Sequence, residues 1–320
     1  MSSCRRFLAL VALPVLVAVA LLLAACQPPA AESDYEPVFG NRAPESSREF
    51  IFGVHPLHNP ERLNQLFSPL VDYLTEQIPG SRFRLEASRN YEAFDEKLRN
   101  RHFDFALPNP YQTIMALAHG YHVFGKMSGD EDFRGIILLR RDSPIQRVTD
   151  LKGKAVSFPA ATALAAAMMP QYFLQTHGLN VGKDIEIRYV GSQESSIMNV
   201  YLGNVAAGVT WPPPWRAFAR EHPEVEAALR VMWQTEPLVN NSLMARDDID
   251  SALVGQVGHV LFSLHEHDLG RGWLERMALG SFEPASDATY RPVQDFLGRF
   301  SKTVRPLELP QPPSDGHAVR

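Results

Sequence analysis

The sequence predicts an α/β protein built of two lobes with a cleft between them. Short apolar strands alternate with helices of 3.6-residue spacing along residues 49–126, and the alternation starts afresh at residue 135. Each series is too short for a complete doubly wound sheet of its own, so two smaller lobes are expected rather than one large one.

The elements follow in order. Phe50, Ile51, Phe52 and Val54 mark a strand over 49–54, closed by the turn signals His55-Pro56 and Asn59-Pro60. Leu63, Leu66, Phe67, Leu70, Val71 and Leu74 are spaced for one helix face over 60–77, ended by Pro79-Gly80. A strand over 82–87 precedes a helix that Asn90 caps and that runs to Arg99, with Tyr91, Phe94 and Leu98 on one face. A short buried strand at 103–107, a helix at 111–119 and a strand at 121–126 complete a β-α-β-α-β-α-β series, the pattern of a parallel sheet covered by helices. The second series has strands at 135–140 and 155–158. An Ala- and Met-rich helix follows over 162–176, kinked at Pro170. Then come a strand at 184–190, a helix at 194–202, a strand at 205–210 and a helix at 215–221. Further strands are expected at 230–234 and 242–246, with a mostly helical tail from 251 and a proline-rich end after 305.

The first 26 residues set the compartment. Arg5 and Arg6 precede an apolar run from 7 to 25 that only Pro14 interrupts, and it ends in Leu23-Ala24-Ala25-Cys26. A cationic head, an apolar core and small residues before a cut are the pattern of a secretion signal. The run is about 19 residues, near the minimum of roughly 17–25 for a membrane helix. Length therefore leaves an uncleaved span open, and the cysteine after two alanines decides for a bacterial lipobox. The expectation is a signal peptide over 1–25, acylation at Cys26 and a tether to the membrane. Residues 26–48, rich in Pro, Ala, Ser and Glu, read as a flexible linker. Gln27 is not the aspartate that resembles an inner-membrane retention signal, so either membrane of a two-membrane cell stays open.

About 270 residues remain for the folded part. At 45% hydrophobic and 21% charged, the chain has the composition of an ordinary globular protein. Its formal charge of −5 falls to −7 once Arg5 and Arg6 leave. With no basic stripe, nucleic acid is excluded as an expected partner. The only cysteines are Cys4 and Cys26, so the exported body relies on core burial, not disulfides.

Several phrases resemble one family. Arg140-Arg141-Asp142-Ser143-Pro144-Ile145 with Asp150-Leu151-Lys152-Gly153-Lys154 is similar to the crossover into the second lobe of type II substrate-binding proteins. Phe52-Gly53-Val54, Leu66-Phe67-Ser68-Pro69-Leu70, Asn90-Tyr91-Glu92-Ala93-Phe94, Asp104-Phe105-Ala106, Gly191-Ser192-Gln193-Glu194-Ser195 and Val200-Tyr201-Leu202-Gly203-Asn204-Val205 narrow the resemblance. Together they resemble the phosphonate/phosphite/phosphate-binding proteins of ABC importers over about residues 50–300. The resemblance implies the type II periplasmic-binding-protein fold, two α/β lobes with a hinged interlobe cleft. Lobe 1 would comprise 49–138 and a helical return over 239–305, lobe 2 would comprise 139–238, and a disordered tail would occupy 306–320. It also implies a monomer in the periplasm or at the cell surface, bound to a small ligand and an ABC permease, with no cofactor.

Site residues carry over one by one. The family's first binding tyrosine falls on Tyr91 and its second on Pro108, with Asn109 and Tyr111 just beyond. Its Ser/Thr run at a helix start, suited to anions by free N–H groups, falls on Ala163-Leu164-Ala165, leaving Thr162 as the nearest hydroxyl. Its histidine is Gln193, beside Ser192, and keeps donor and acceptor capacity without charge. The carboxylates that hold an aminoalkyl group fall on Pro214 and near Asn241, so a cationic amine has no counter-charge there.

The residues add candidates of their own. Thr210-Trp211-Pro212-Pro213-Pro214-Trp215 follows a strand, where carboxyl-end loops face the crevice. Stiffened by three prolines, it is either a rigid aromatic wall of the pocket or a cap between lobes, with Trp211 ahead of Trp215 as a contact. Asn109 is either a ligand contact or a helix cap. His55 and His58 follow the first strand, where one of them faces the cleft or both are solvated. Asn240-Asn241 stands where the chain returns to the first lobe, as hinge or as contact. His265-Glu266-His267 is no metal site, because residues two apart on a helix face different ways and no third ligand has suitable spacing. Without a nucleophile elbow, Walker loop, dinucleotide fingerprint or His-Glu-x-x-His, nothing argues for catalysis.

The expectation is a lipid-anchored binding protein that delivers a phosphonate-, phosphite- or phosphate-like solute to an importer. The alternative is a ligand-sensing partner of a membrane receptor such as a histidine kinase. An enzyme on the same scaffold is the third reading, and it would need a reactive constellation in the cleft.

Overall fold

The computed structural model describes residues 48–307; the apolar run, Cys26, the linker up to residue 47 and the tail from 308 lie outside the described residues. In chain order the strands are β1 (Arg48–Val54), β2 (Ser81–Glu86), β3 (Phe105–Leu107), β4 (Tyr121–Met127), β5 (Ile136–Arg140) and β6 (Lys154–Phe158). The series continues with β7 (Ile185–Tyr189), β8 (Ala207–Thr210), β9 (Leu229–Gln234), β10 (Ser242–Arg246) and β11 (Phe282–Pro284). The α-helices are α1 (Pro60–Gln77), α2 (Tyr91–Arg99), α3 (Pro110–Leu117), α4 (Met169–Thr176), α5 (Val181–Asp184) and α6 (Gln193–Tyr201). Then come α7 (Pro212–Glu221), α8 (Pro223–Ala228), α9 (Ser251–Phe262), α10 (Asp268–Arg276) and α11 (Arg291–Thr303).

These strands make two sheets, ordered β11-β4-β10-β3-β1-β2 and β7-β6-β8-β5-β9. The first is mixed rather than the parallel sheet its alternation suggested. β1 pairs in parallel with β2 and β3, but β10 returns from the end of the second lobe and inserts antiparallel between β3 and β4. A strand that returns 115 residues after β4 ends leaves no mark in local periodicity; it is a matter of topology. In the second sheet β6 pairs in parallel with β7 and β8, while β5 runs antiparallel to β8 and β9. The expected division after residue 138 falls inside β5, whose whole length pairs in the second sheet.

Local chemistry accounts for the element ends that border the cleft. Asn59 caps α1 by accepting from the Arg62 N–H, Asn90 caps α2 through the Ala93 N–H, and Pro60 stands in the first turn, where a missing donor has no consequence. α1 buries Leu63, Phe67, Leu70, Val71 and Leu74, the stripe its spacing announced. One apolar core runs beneath the first sheet and across into residues 163–169, and a smaller cluster of Ile136, Leu138, Ile197, Val200, Val205, Val225 and Leu229 packs the far face of the second sheet.

Three expectations are corrected. The helix expected over 162–176 is a π-turn, Leu164–Met168, that leads into α4. Pro170 has no N–H for the carbonyl of Ala166, and its ring crowds that carbonyl. Widening the turn relieves this, with the Met168 and Met169 N–H groups donating five residues back to Ala163 and Leu164. The three prolines after Trp211 are not a loop but the first turn of α7, where helix N–H groups lack acceptors anyway. Within the tail, β11 adds an edge strand beside β4.

Candidate functional site

The ends of these strands surround one buried cavity. β1, β2 and β3 deliver His55, Tyr91 and Asn109 just past their carboxyl ends, and Asn241 enters just before the antiparallel β10. From the other side come Ala163, Leu164, Ala165 and Ala166 after β6, Gln193 after β7 and Trp211 after β8; Phe133 stands on the crossover. This is the crevice position expected for ligands of open α/β sheets. Its volume is about 10 Å³, room for about one water. The lobes must therefore part before a tetrahedral anion can enter.

Hydrogen bonds fix the polar wall. Thr210 Oγ1 donates to Gln193 Oε1 at 2.8 Å, which orients the amide so that its Nε2 donates to the Tyr91 hydroxyl at 3.3 Å across the cleft. The Tyr91 oxygen is thus an acceptor on one side, and its own hydrogen is available to donate on the other. Burial raises the Tyr91 pKa, so this phenol stays protonated. His55 Nδ1–H donates to Leu107 O at 2.9 Å, and burial lowers the ring's pKa to about 4, leaving it neutral with Nε2 as an acceptor. Asn109 caps α3 in a reciprocal box with Gln112, and its Nδ2 donates across the cleft to Thr162 O at 3.1 Å. The Trp211 ring packs edge-to-face on Phe133, with centroids 5.4 Å apart. It both walls the cavity and caps the junction, so the two readings of this residue coincide.

Further bonds tie the lobes beside the cavity. His58 Nδ1 donates to Glu194 Oε1 at 3.1 Å. Burial works to raise the Glu194 pKa, but the bond and charge of His58 prevail and hold it below the usual glutamate range. At the rim Arg62 grips Glu221 through both oxygens, at 2.8 and 2.6 Å. Asp95 accepts from Gln112 Nε2 at 2.7 Å, and burial pushes its carboxyl up to about 6.

Of the expected contacts, His55, Tyr91, Asn109, Gln193, Trp211 and Asn241 line the cavity together. The other four stand behind it. Thr210 bonds Gln193, and Thr162 offers its carbonyl to Asn109. Ser192 accepts from the Ser195 N–H as the cap of α6, and Tyr111 is buried on α3 outside the lining. Trp215 instead borders a surface groove of about 430 Å³, and Asn240 Nδ2 is bonded to Ser128 O at 3.0 Å. His267 accepts from the Gly270 N–H as the cap of α10, and no group of three metal-ligating side chains occurs among the described residues. Phe133 was missed, though an apolar residue directly after Asp130-Glu131-Asp132 is a legible oddity in a polar turn.

Two lobes closing on a buried polar cavity at their strand ends define the class of bilobal binding proteins. The chain belongs to the family described as ABC transporter, phosphonate, periplasmic substrate-binding protein, whose model matches residues 52–290. A probable ABC transporter phosphite-binding protein of Prochlorococcus marinus is 21% identical over 225 residues, 67% of this chain and 74% of that one. Its structure in complex with methylphosphonate superposes with a TM-score of 0.72 at 18% identity, over 80% of this chain and 99% of that one. A binding-protein component of a phosphonate ABC transporter from Pseudomonas aeruginosa gives a TM-score of 0.74 at 15% identity, over 80% and 88%. The tetrathionate sensor histidine kinase TtrS of Salmonella typhimurium is 26% identical over 147 residues, 43% of this chain but only 25% of that protein. The family places the protein in the periplasm, and no helix among the described residues is long and apolar enough to cross a membrane.

Proposed function

We propose that this protein is anchored by a lipid at Cys26 and captures a small phosphonate-, phosphite- or phosphate-like solute between its two lobes, with β5 belonging wholly to the second. The closed form then delivers the solute to an ABC permease. His55, Tyr91, Asn109, Gln193, Trp211 and Asn241 are the contacts, with Thr210 and Thr162 holding Gln193 and Asn109 in place. The carrying observation is a buried cavity walled by both lobes, whose polar residues bond across the cleft. Such contacts strengthen as the jaws close on a ligand, which links binding to closure. The uncapped turn after Ala163 adds backbone N–H groups suited to oxyanion oxygens.

Thermal unfolding with phosphite, phosphate and methylphosphonate tests the reading. At a hundredfold excess over Kd, a ligand stabilises by about 2.7 kcal/mol. The expected result is a rise in Tm for at least one of the three, lost in Tyr91→Ala and Trp211→Ala. No rise with any of them overturns the ligand class, and wild-type binding by both variants overturns the pocket.

The match to a sensor kinase supports a second reading, in which the liganded protein docks on a membrane receptor. Import predicts loss of solute uptake when the gene is deleted. Sensing predicts intact uptake with a lost transcriptional response.

A further inference from the structure

The wall of the cavity holds an acceptor with nothing to accept. Asn241 is fully buried; its Nδ2 lies 3.3 Å from Met127 Sδ, and its Oδ1 has no hydrogen-bond partner among the described residues. Such atoms are rare in folded proteins, and of those among the described residues this one belongs to a residue that lines the cavity. The backbone of this residue is pinned: its N–H donates to Asn240 Oδ1 at 2.8 Å, and its carbonyl accepts from the Met127 N–H at 2.9 Å. The side chain therefore stays on the cavity wall. His55 supplies a second acceptor edge, because its Nδ1 hydrogen is spent on Leu107 O. Burial keeps that ring neutral through the physiological range. No lysine, arginine, aspartate or glutamate lines the cavity.

An oxyanion stripped of hydrogen would set its lone pairs against Asn241 Oδ1 and His55 Nε2. One that keeps a hydrogen on oxygen offers that hydrogen to the acceptors, while its bare oxygens take the Tyr91 hydroxyl and the N–H groups beyond Ala163. Building on the ligand reading above, we propose that Asn241 is a specificity-determining residue that makes this site select oxyanions still bearing an acidic hydrogen. Anions of the same shape and charge that have none are rejected. The physical basis is the unpaired buried acceptor that the wrong ligand leaves behind, an effect of about 10–100-fold in affinity.

Methylphosphonate and methanesulfonate make the test. At a pH about one unit below the second ionisation of methylphosphonate, both are monoanions with one methyl and three oxygens, and only the phosphonate carries a hydrogen. Titration calorimetry of the wild-type protein should give methylphosphonate the higher affinity by about 10–100-fold. In Asn241→Leu, of similar shape, the gap should shrink below about threefold through weaker methylphosphonate binding. Equal wild-type affinities overturn the proposal while leaving the ligand reading intact, and so does a gap that survives in Asn241→Leu. Because the wild-type comparison needs no variant, it decides even where the variant fails to fold. If neither anion binds, this proposal fails, and the ligand reading is then decided by phosphite and phosphate in the thermal test.

Discussion

Two helix starts face each other across the cavity, and they are made in opposite ways. α3 begins with a complete capping box: Asn109 accepts from the Gln112 N–H, and Gln112 returns the bond to the Asn109 N–H. Its first turn is satisfied by side chains. Opposite it, the turn after Ala163 has no side-chain cap, only methyl groups and the wide π geometry that Pro170 imposes. The first lobe thus meets the cavity with side chains, and the second meets it with backbone, Gln193 and Trp211. Substitutions in the first lobe should delete contacts one at a time, whereas those in the second should act by intruding.

The severest intrusion is a charge. Ala165→Asp sets a carboxylate without a partner into a wall that is 4% exposed. It should lower stability by about 3–5 kcal/mol, read from denaturant unfolding, and abolish anion binding in calorimetry. A variant that binds as the wild type does would show that this turn does not border the site.

Next in size is a pair of opposed pH effects in the first lobe. His55 has its pKa lowered by burial from 6.5 to about 4, so the unfolded chain takes up the proton first and stability falls as pH drops through that interval. Asp95 has its pKa raised by burial from 3.8 to about 6, so the folded state holds the proton longer and stability falls as pH climbs through nearly the same interval. Each effect is about 3 kcal/mol, and they offset one another in the native protein. Asp95→Asn should therefore become more stable from pH 4 to 6 and His55→Gln less stable, as chemical denaturation at each pH will report. Parallel trends in the two variants would break the account.

Asn109→Ala removes the cap and the bond to Thr162 O, and should cost about 1–2 kcal/mol with a visible loss of affinity. The smallest effect is a gain. Ala165→Ser adds a hydroxyl where the second lobe has none, and should tighten oxyanion binding by about 2–10-fold in a competition titration. A loss of affinity there would mean that the methyl is needed for packing.

The contrast between the lobes also explains what the sequence disclosed. Elements with their own periodicity were legible within a residue or two: α1 matched its expected span over Pro60–Gln77, and Ser242–Arg246 was placed correctly as a strand. What stayed hidden was where β10 pairs, because antiparallel insertion beside β3 depends on contacts far apart in sequence. The π-turn was hidden as well; Pro170 announced a disturbance, but a kink and a widened turn both accommodate the Ala166 carbonyl that its missing N–H leaves unpaired. Cavity residues at strand ends were legible by rule, yet Ser192 and Thr210 were not told apart from true lining residues. One hydroxyl is consumed by the Ser195 N–H and the other by Gln193, and such local bonds are settled only when the chain is folded.

The run of alanine methyl groups in the π-turn before α4 carries a consequence for descent. Alanine and serine codons differ by one base, so a single-nucleotide change moves this cradle from bare amides to a hydroxyl-bearing rim without disturbing the proline that shapes it. Descent can therefore tune how firmly this turn holds an oxyanion in small steps, each confined to one codon.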